Sequence, residues 1–273
     1  MNNFATTISN GAQSIRQHFE GQIQVALVLG SGLSDLAFED FEELVSIDYR
    51  QIDGMPRATA PTHTGRLSIL TNGDINIAMC HGRLHLYEGH SAQQVSTLVY
   101  VLRALGTETL IITNAAGALN PDYRPGDVML ISDHINATGQ NPVLGQDQTL
   151  GILFPDMSDA YARKLQLKCQ DAAKELDIDI HQGVYIGVLG PSLETSAERR
   201  LYRQWGGDAV GMSTVTEVIA ANHCGMQVLG LSAITNLALG DENQQADTIE
   251  EVLENAAIAG KSMERIIGLI LRS

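Results

Sequence analysis

Cationic and imidazole side chains gather in one short stretch of a chain that is otherwise acidic. Arg83 lies between His81 and His85, Tyr87 follows, and His63 lies upstream. The chain carries 32 acidic against 17 basic residues, so this concentration of donors stands out. A guanidinium can donate two parallel hydrogen bonds to an oxyanion, and histidine adds donors whose protonation changes near neutral pH. The stretch predicts a binding site for a small anion such as phosphate.

Two other interpretations of this stretch remain open. It is also compatible with a solvated surface run, or with His81 and His85 as two metal ligands on one helix turn. The metal interpretation is disfavoured, because Gly82 is a poor residue for a helix interior and no glutamate lies between the histidines as it does in HExxH. We therefore expect no metal at this site.

Three predicted strands run directly into small or polar residues. They are Val25–Leu29 before Gly30-Ser31-Gly32, Leu110–Thr113 before Asn114-Ala115-Ala116-Gly117, and Val228–Thr235 before Asn236. In open α/β sheets the crevice beyond the strand ends is the usual ligand site, so we expect these three loops to meet. Small residues leave backbone N–H groups open to an anion, and an asparagine amide suits the edge of a heterocycle. Each segment alone is also compatible with an ordinary turn, and for Asn236 an asparagine that bonds its own turn is the commoner case.

Two predicted helix starts place further polar groups near these loops. Thr195 with Glu198 and Thr214 with Glu217 have the spacing of a capping box. Ser213 directly precedes the second box and would add donors at a positive helix end. Glu194 directly precedes the first, which directs its carboxylate toward the strand-end loops. Compensation of the helix dipole is an alternative explanation for Glu194.

The elements that carry these residues alternate along the chain, which predicts an α/β fold. Besides the strands named above, apolar runs predict strands at Ile75–Met79, Val128–Ile131 and Val184–Leu189. Ser91 with Gln94 begins a helix that Gly106 ends, and apolar residues from Ile249 to Ile270 recur at helical spacing. No long linker divides the chain, so we expect one domain over residues 1–273, with a long loop from Gly139 to Phe154.

Composition excludes several classes of function. A net charge of -15 argues against a nucleic-acid or anionic-membrane surface, because either requires a basic face. No uncharged apolar run reaches the length of about 20 residues that spans a bilayer. The three cysteines have no CxxC spacing, which fits a reducing cytoplasm rather than a disulfide framework. We expect a cytoplasmic protein that contacts neither nucleic acid nor membrane.

Six sequence blocks together resemble the trimeric purine nucleoside phosphorylase family, from about residue 24 to the C-terminus. The blocks are Gly30-Ser31-Gly32-Leu33, His81 to Gly89, Thr113 to Gly117, Gly190-Pro191-Ser192-Leu193-Glu194-Thr195, Gly211-Met212-Ser213-Thr214 and Ile234-Thr235-Asn236. The resemblance implies a central mixed β-sheet, partly rolled into a distorted barrel and flanked by helices. It also implies a homotrimer that uses inorganic phosphate as a co-substrate and needs no cofactor or metal.

The resemblance also implies an assignment of site residues. Phosphate would be held by Ser31, His63, Arg83, Leu84, His85, the backbone of Ala115, and Ser213. Tyr87 and Met212 would line the ribose, Glu194 and Asn236 would hold the purine, and Phe154 would reach into a neighbouring subunit's site. Asn236, Glu194 and His85 would be the catalytic residues.

The implied reaction is reversible phosphorolysis of 6-oxopurine nucleosides such as inosine and guanosine to the free purine and pentose 1-phosphate. Two departures from the family pattern stand out: Leu193 replaces an aromatic residue, and Ile249 stands where the family has a histidine that contacts the 5'-hydroxyl. Methylthioadenosine phosphorylase, which prefers 6-aminopurines, is therefore an alternative, as is a purine-binding module without catalysis.

Overall fold

The computed structural model describes residues 4–60, 64–146, 148–242, 244 and 246–272. The nine strands are β1 Val25–Val28, β2 Glu42–Asp48, β3 Arg66–Thr71, β4 Asn76–His81, β5 Thr109–Ala118, β6 Val128–Asn136, β7 His181–Gly187, β8 Ala209–Gly211 and β9 Gln227–Leu237. The α-helices are α1 Phe4–Arg16, α2 Ala92–Val95, α3 Thr97–Ala104, α4 Arg163–Glu175, α5 Ser196–Gln204, α6 Val215–His223 and α7 Ile249–Arg272. None of these helices is both long enough and apolar enough to cross a membrane.

All nine strands belong to one mixed sheet. Their order is β2-β3-β4-β1-β5-β8-β7-β6-β9, and β9 returns to pair with β5. The last five strands therefore close into a ring, while β2, β3, β4 and β1 extend from it as an open sheet. This confirms the expected mixed sheet that is partly rolled into a barrel.

Four neighbouring strands run in the same direction. β1 pairs in parallel with β4 on one side and β5 on the other, and β5 pairs in parallel with β9. Because parallel strands end at the same edge, the segments that follow β1, β4 and β9 meet where β5 also ends. Strand direction thus brings the three predicted segments, at Gly30, Asn114 and Asn236, to one edge of the sheet together with the cationic stretch after β4.

The segment Asn114–Gly117 differs from the prediction, because it continues β5 instead of forming a loop. Its pairing with β9 extends to Leu237, so hydrogen bonds on that side hold it extended. On its other side, β1 pairs only as far as Ile112 and β8 begins at Gly117. Among the described strands none pairs with this side of Thr113–Ala116, and the backbone opens toward the cleft there.

The helix predicted from Ser91 is also different, since it is divided into α2 and α3. Ser91 and Gln94 form the expected capping box, and Gly106 follows the end of α3 with φ 99°. Between the two helices, the Ser96 hydroxyl donates to the backbone oxygens of Ala92 and Thr216. Such side-chain bonds to the preceding turn compete with regular helix geometry.

The C-terminal helix α7 confirms its prediction and covers one face of the sheet. Met263, Ile266 and Ile267 on α7 pack in one buried cluster with Leu29 and Leu231. The residues from Gly139 to Phe154 that the structure describes form turns without helix or strand, as expected. The elements that no sequence pattern indicated are α1, α4, β2, β3 and β8.

Gly30 is the point of closest approach between the end of β1 and β5. A Cβ atom there would lie 2.7 Å from the Asn114 Cα and 3.0 Å from the Thr113 oxygen, both of them backbone atoms. We expect Gly30→Ala to lower the free energy of unfolding by about 1–3 kcal/mol, because backbone cannot move aside as a side-chain end can.

Gly268 in α7 is a matched control for Gly30→Ala. Its added Cβ would meet only ordinary contacts at 3.5 Å, so Gly268→Ala should raise stability by about 0.5–1 kcal/mol through helix propensity. Denaturant unfolding of both variants measures the two effects. Equal stability of Gly30→Ala and the unsubstituted protein would contradict the close approach.

Candidate active site

A cleft of about 780 Å³ lies at the edge where the parallel strands end. Nine of the residues predicted to bind ligand line it: Ser31, Arg83, His85, Tyr87, Ala115, Glu194, Met212, Ser213 and Asn236. Gly30, Asn114, Gly117 and Leu193 complete parts of the wall. Residues separated by more than 200 positions in the sequence therefore share one cavity.

Two other predicted site residues that the structure describes are not part of this lining. Leu84 is buried and packs with Leu86, Ala92 and Val95, so its side chain belongs to a small apolar cluster. Phe154 lies on the surface of the chain with 86% of its area exposed. His63 lies outside the described residues.

Arg83 is a buried hub that joins several segments of the cleft wall. Its Nη1 donates to Glu217 Oε2 at 3.2 Å and to the Thr214 hydroxyl at 3.4 Å. Its Nη2 donates to the backbone oxygens of Val28 and Thr113. Within the described chain its Nε has no hydrogen-bond partner. A bidentate grip on an anion through the two terminal nitrogens would therefore exchange some of these bonds for new ones.

Thr214 holds an unusual backbone conformation at the start of α6. Its φ is 72°, a region that a β-branched residue rarely adopts. The surrounding hydrogen bonds hold it there: its N–H donates to Glu217 Oε2, and its hydroxyl accepts from Asn114 Nδ2 at 2.8 Å. The Ser213 hydroxyl lies 3.1 Å from the Thr214 hydroxyl. The turn directs Ser213 into the cleft at the positive end of a helix.

Glu88 orients His85 at the neighbouring wall. Glu88 Oε1 lies 2.9 Å from His85 Nδ1 and accepts from the His85 backbone N–H, while Oε2 accepts from the N–H and hydroxyl of Thr59. Burial alone would raise the pKa of Glu88, but the hydrogen bonds from His85 and Thr59 outweigh it and lower the pKa to about 2. The His85 ring also stacks on Tyr87, with centroids 4.6 Å apart.

The opposite end of the cleft contains a polar network around Asn236. Asn236 Nδ2 donates to Asp247 Oδ1 at 2.7 Å, and the Thr235 hydroxyl donates to Asn236 Oδ1 at 2.7 Å. Asp247 Oδ2 in turn accepts from Arg199 Nη2 at 2.5 Å. Arg199 Nε lies 3.8 Å from Glu194 Oε2. A single guanidinium thus lies between the two carboxylates nearest the amide.

Glu194 is strongly shielded from solvent by this arrangement, with 7% of its side chain exposed. Burial raises the pKa of Glu194, and the negative charges of Asp247 and Glu198 act in the same direction, while a backbone hydrogen bond and the Arg199 charge oppose them. Its charge state is therefore sensitive to a higher pH range than that of a surface glutamate.

Sequence patterns predict no role in the site for several of its residues. Glu217 had been assigned to a capping box, yet the same carboxylate oxygen also accepts from Arg83. Glu88 fell within a matched block without a role. Arg199 and Asp247 carried no signal, since a charged residue on a helix or loop is usually solvated. Ile249 is exposed and does not line the cleft.

The described residues contain no group of three or more His, Cys, Asp or Glu side chains that could hold a metal ion. The polar groups of the cleft are arranged for direct contact with a ligand. One end offers guanidinium, imidazole, hydroxyl and open backbone groups, and the other offers an amide and a carboxylate.

Comparisons with known proteins agree with this arrangement. Residues 24–272 match the model of the phosphorylase superfamily. A purine nucleoside phosphorylase of Geobacillus stearothermophilus is 43% identical over 98% of this chain and 97% of its own length. The mouse enzyme of the same name is 44% identical over 96% of this chain and 93% of its own.

Solved structures give the same result. The crystal structure of Schistosoma mansoni purine nucleoside phosphorylase in complex with adenosine superimposes with a TM-score of 0.88 at 32% identity, covering 97% of this chain and 96% of that one. A complex of a schistosome enzyme with hypoxanthine matches equally well. The chain therefore belongs to the phosphorylase superfamily and, within it, to the purine nucleoside phosphorylases.

Proposed function

We propose that this chain uses inorganic phosphate to cleave 6-oxopurine nucleosides, with inosine and guanosine as its preferred substrates. The observation that carries the proposal is the polarity of the cleft. Donors for an oxyanion lie at one end, around Arg83, and a carboxylate and an amide suited to a purine edge lie at the other, at Glu194 and Asn236. A nucleoside bound between them presents its glycosidic bond to the phosphate.

At the first end, phosphate is held by Arg83, His85, Ser213, Ser31 and the open backbone at Ala115. Four bonds to protein hold the guanidinium of Arg83 at the cleft wall before the anion binds, and the anion then replaces some of them. His63, outside the described residues, and the backbone of Leu84 belong to the same proposal. Phosphate here acts both as nucleophile and as a counter-charge for the sugar.

At the second end, Asn236 hydrogen-bonds the N7 side of the purine and Glu194 accepts from its N1–H. A phosphate oxygen bonds to the anomeric carbon as the bond from that carbon to N9 breaks, and the bonding electrons leave with the purine. A proton from solvent then neutralises the base at N7. Asn236 and Glu194 stabilise the negative charge as it develops on the leaving base.

Tyr87 and Met212 line the cleft and are proposed to contact the ribose. The schistosome relatives are in complex with hypoxanthine and with adenosine, so a cleft of this family admits both 6-oxo and 6-amino bases. We therefore locate the preference of this chain in Glu194 and Asn236, whose hydrogen-bonding groups face the base.

We also propose that the protein is a homotrimer that acts in purine salvage in the cytoplasm. The loop that ends at Phe154 exposes large apolar side chains: Leu144, Ile152, Leu153 and Phe154. Clustered apolar exposure of this kind is typical of an interaction surface. We propose that a neighbouring copy covers this loop and that Phe154 approaches the neighbour's cleft.

The requirement for phosphate tests the proposed reaction directly. Inosine incubated with the protein should lose its ultraviolet signature only when phosphate is present, and adenosine or methylthioadenosine should react more slowly. Sulfate at equal ionic strength is the matched control, because it is an oxyanion of similar shape but a poor nucleophile. Loss of inosine in sulfate would indicate a hydrolase, and no loss in either salt would indicate a binding module.

Asn236→Ala tests the amide at the leaving base. Removing a donor that acts on developing charge should cost roughly 3 kcal/mol, or about a hundredfold in kcat for inosine. Asn10→Ala, an exposed substitution on α1 far from the cleft in sequence, should leave kcat unchanged. Stopped-assay kinetics at saturating phosphate compare the two variants. A kcat within a factor of about two of the unsubstituted protein would remove Asn236 from the mechanism.

The raised pKa of Glu194 predicts that binding of the base depends on pH. Because burial raises the pKa of Glu194, its carboxylate gains a proton and stops accepting from N1–H at a higher pH than an ordinary glutamate does. Hypoxanthine should therefore bind less tightly as the pH falls from 8 to 5, measured by calorimetry without phosphate. Glu194→Gln should bind weakly with a flatter profile. Identical profiles for both proteins would assign the titration to another group.

A further inference from the structure

We propose that Asp247, held by Arg199, is a positioning residue that fixes the orientation of the Asn236 amide and so sets the preference for 6-oxopurines. The inference rests on the proposed function, which assigns Asn236 to the base but gives no part to either charged residue. Arg199 is 4% exposed, and 9% of the Asp247 side chain is exposed. Such burial of two charges requires specific partners.

The orientation of Asn236 follows from the chemistry of its two neighbours. A carboxylate can only accept hydrogen bonds, so the Asn236 atom 2.7 Å from Asp247 Oδ1 must be the amide nitrogen. The Thr235 hydroxyl then donates to the amide oxygen on the other side. One N–H and one lone pair of the amide remain for the purine.

Reversal of this amide is opposed at the Asp247 side. A flip would set the Asn236 oxygen 2.7 Å from a carboxylate oxygen, which replaces a charge-assisted hydrogen bond with repulsion. The groups offered to the base would also exchange places. The 6-substituent lies on the same edge of the purine as N7, and it accepts a hydrogen bond in a 6-oxopurine but donates one in a 6-aminopurine. A fixed amide therefore discriminates between the two bases, and a freely flipping one does not.

Arg199 connects the two residues proposed to face the base, Glu194 and Asn236, and it reaches Asn236 through Asp247. It pairs with Asp247 at 2.5 Å and lies 3.8 Å from Glu194. Within the described chain its Nε and Nη1 have no hydrogen-bond partner, so the two carboxylates supply the contacts that locate the guanidinium. The placement of Asp247 is thereby coupled to that of Glu194 at the same end of the cleft.

Asp247→Asn is the most informative substitution, because it preserves size while it removes the negative charge and replaces one accepting oxygen with a donating nitrogen. Both partners of Asp247, Arg199 and Asn236, are donors. An asparagine offers one accepting oxygen and one donating nitrogen, so one of the two bonds must be lost or Asn236 must flip. Asp247→Ala removes both bonds and is the second variant.

The test compares kcat/KM for inosine and for adenosine at saturating phosphate. Asp247→Asn should lower the value for inosine by roughly 10- to 100-fold, the usual effect of a hydrogen bond to a charged group, and the value for adenosine much less. The inosine-to-adenosine ratio therefore falls, while KM for phosphate is unchanged. Glu242→Gln, which removes an exposed charge from the same segment, is the matched control and should alter neither value.

A double-mutant cycle separates positioning from direct contact. If Asp247 acts through Asn236, the Asn236→Ala/Asp247→Ala variant should have the same kcat as Asn236→Ala alone. Multiplicative effects would overturn the inference, and so would an unchanged inosine-to-adenosine ratio in Asp247→Asn. If Asp247→Asn lowered kcat/KM equally for inosine and adenosine and also lowered stability in denaturant, Asp247 would have only a structural role. That result would also overturn the inference.

Binding of free bases distinguishes failure of this inference from failure of the proposed function. A protein that does not consume inosine but binds hypoxanthine more tightly than adenine, and loses that preference in Asp247→Asn, would refute phosphorolysis and support the positioning of Asn236. A protein that consumes inosine and retains its preference in Asp247→Asn would do the reverse. A protein that neither consumes inosine nor binds hypoxanthine would overturn both.

Discussion

The ion pair between Arg83 and Glu217 ties together the segments on which the cleft depends. The two side chains are 2% and 3% exposed, and the guanidinium also bonds the backbone at the end of β1 and within β5. A buried charge without its partner is strongly destabilising, so the segment after β4, the end of β1 and the start of α6 are fixed relative to one another. The same contact leaves Thr214 little freedom to relax its backbone conformation.

The two ends of the cleft are built in different ways. The Arg83 end rests on the edges of parallel strands and on a helix start, which are elements of the sheet itself. The Arg199 end joins α5 to the segment between β9 and α7. Strand pairing holds Asn236 there, but the placement of Glu194 and Asp247 depends on charged side chains. Rigidity at the Arg83 end and side-chain control at the Arg199 end suit the proposed reaction, in which phosphate is constant and the purine varies.

The sequence was sufficient for the parts of the fold that local pattern determines. Six buried strands, three capping boxes and the C-terminal helix were predicted from apolar periodicity and short-range signals. The sequence was insufficient for segments whose secondary structure depends on the strand with which they pair. Asn114–Gly117 looks like a loop because its residues are small, and only the long pairing with β9 makes it a strand. β8 has three residues, too few for any periodicity.

In the candidate site, too, local sequence patterns predict some residues and only long-range contacts reveal the others. Strand ends, helix starts and the cationic stretch from His81 to Tyr87 identified many of the residues that line the cleft, and Met212 was predicted only from the family resemblance. The acceptors around Arg83 could not be identified from sequence, since two of them are backbone oxygens. Asp247 and Arg199 meet across 48 positions. Nothing local separates either from a solvated charge, so only the folded chain reveals the pair.

The dependence of α5 on a charged contact has a consequence for local unfolding. Arg199 is the one residue of this helix that is buried within the described chain, and the half-buried Tyr202 packs on a small apolar cluster, so α5 docks mainly through ion pairs. Its opening should cost less free energy than that of the core strands, and amide exchange should be fastest among the helices there. A ligand that donates a hydrogen bond to Glu194 would add to the contacts that hold α5 in place, which makes this helix a local reporter of occupancy at the base end.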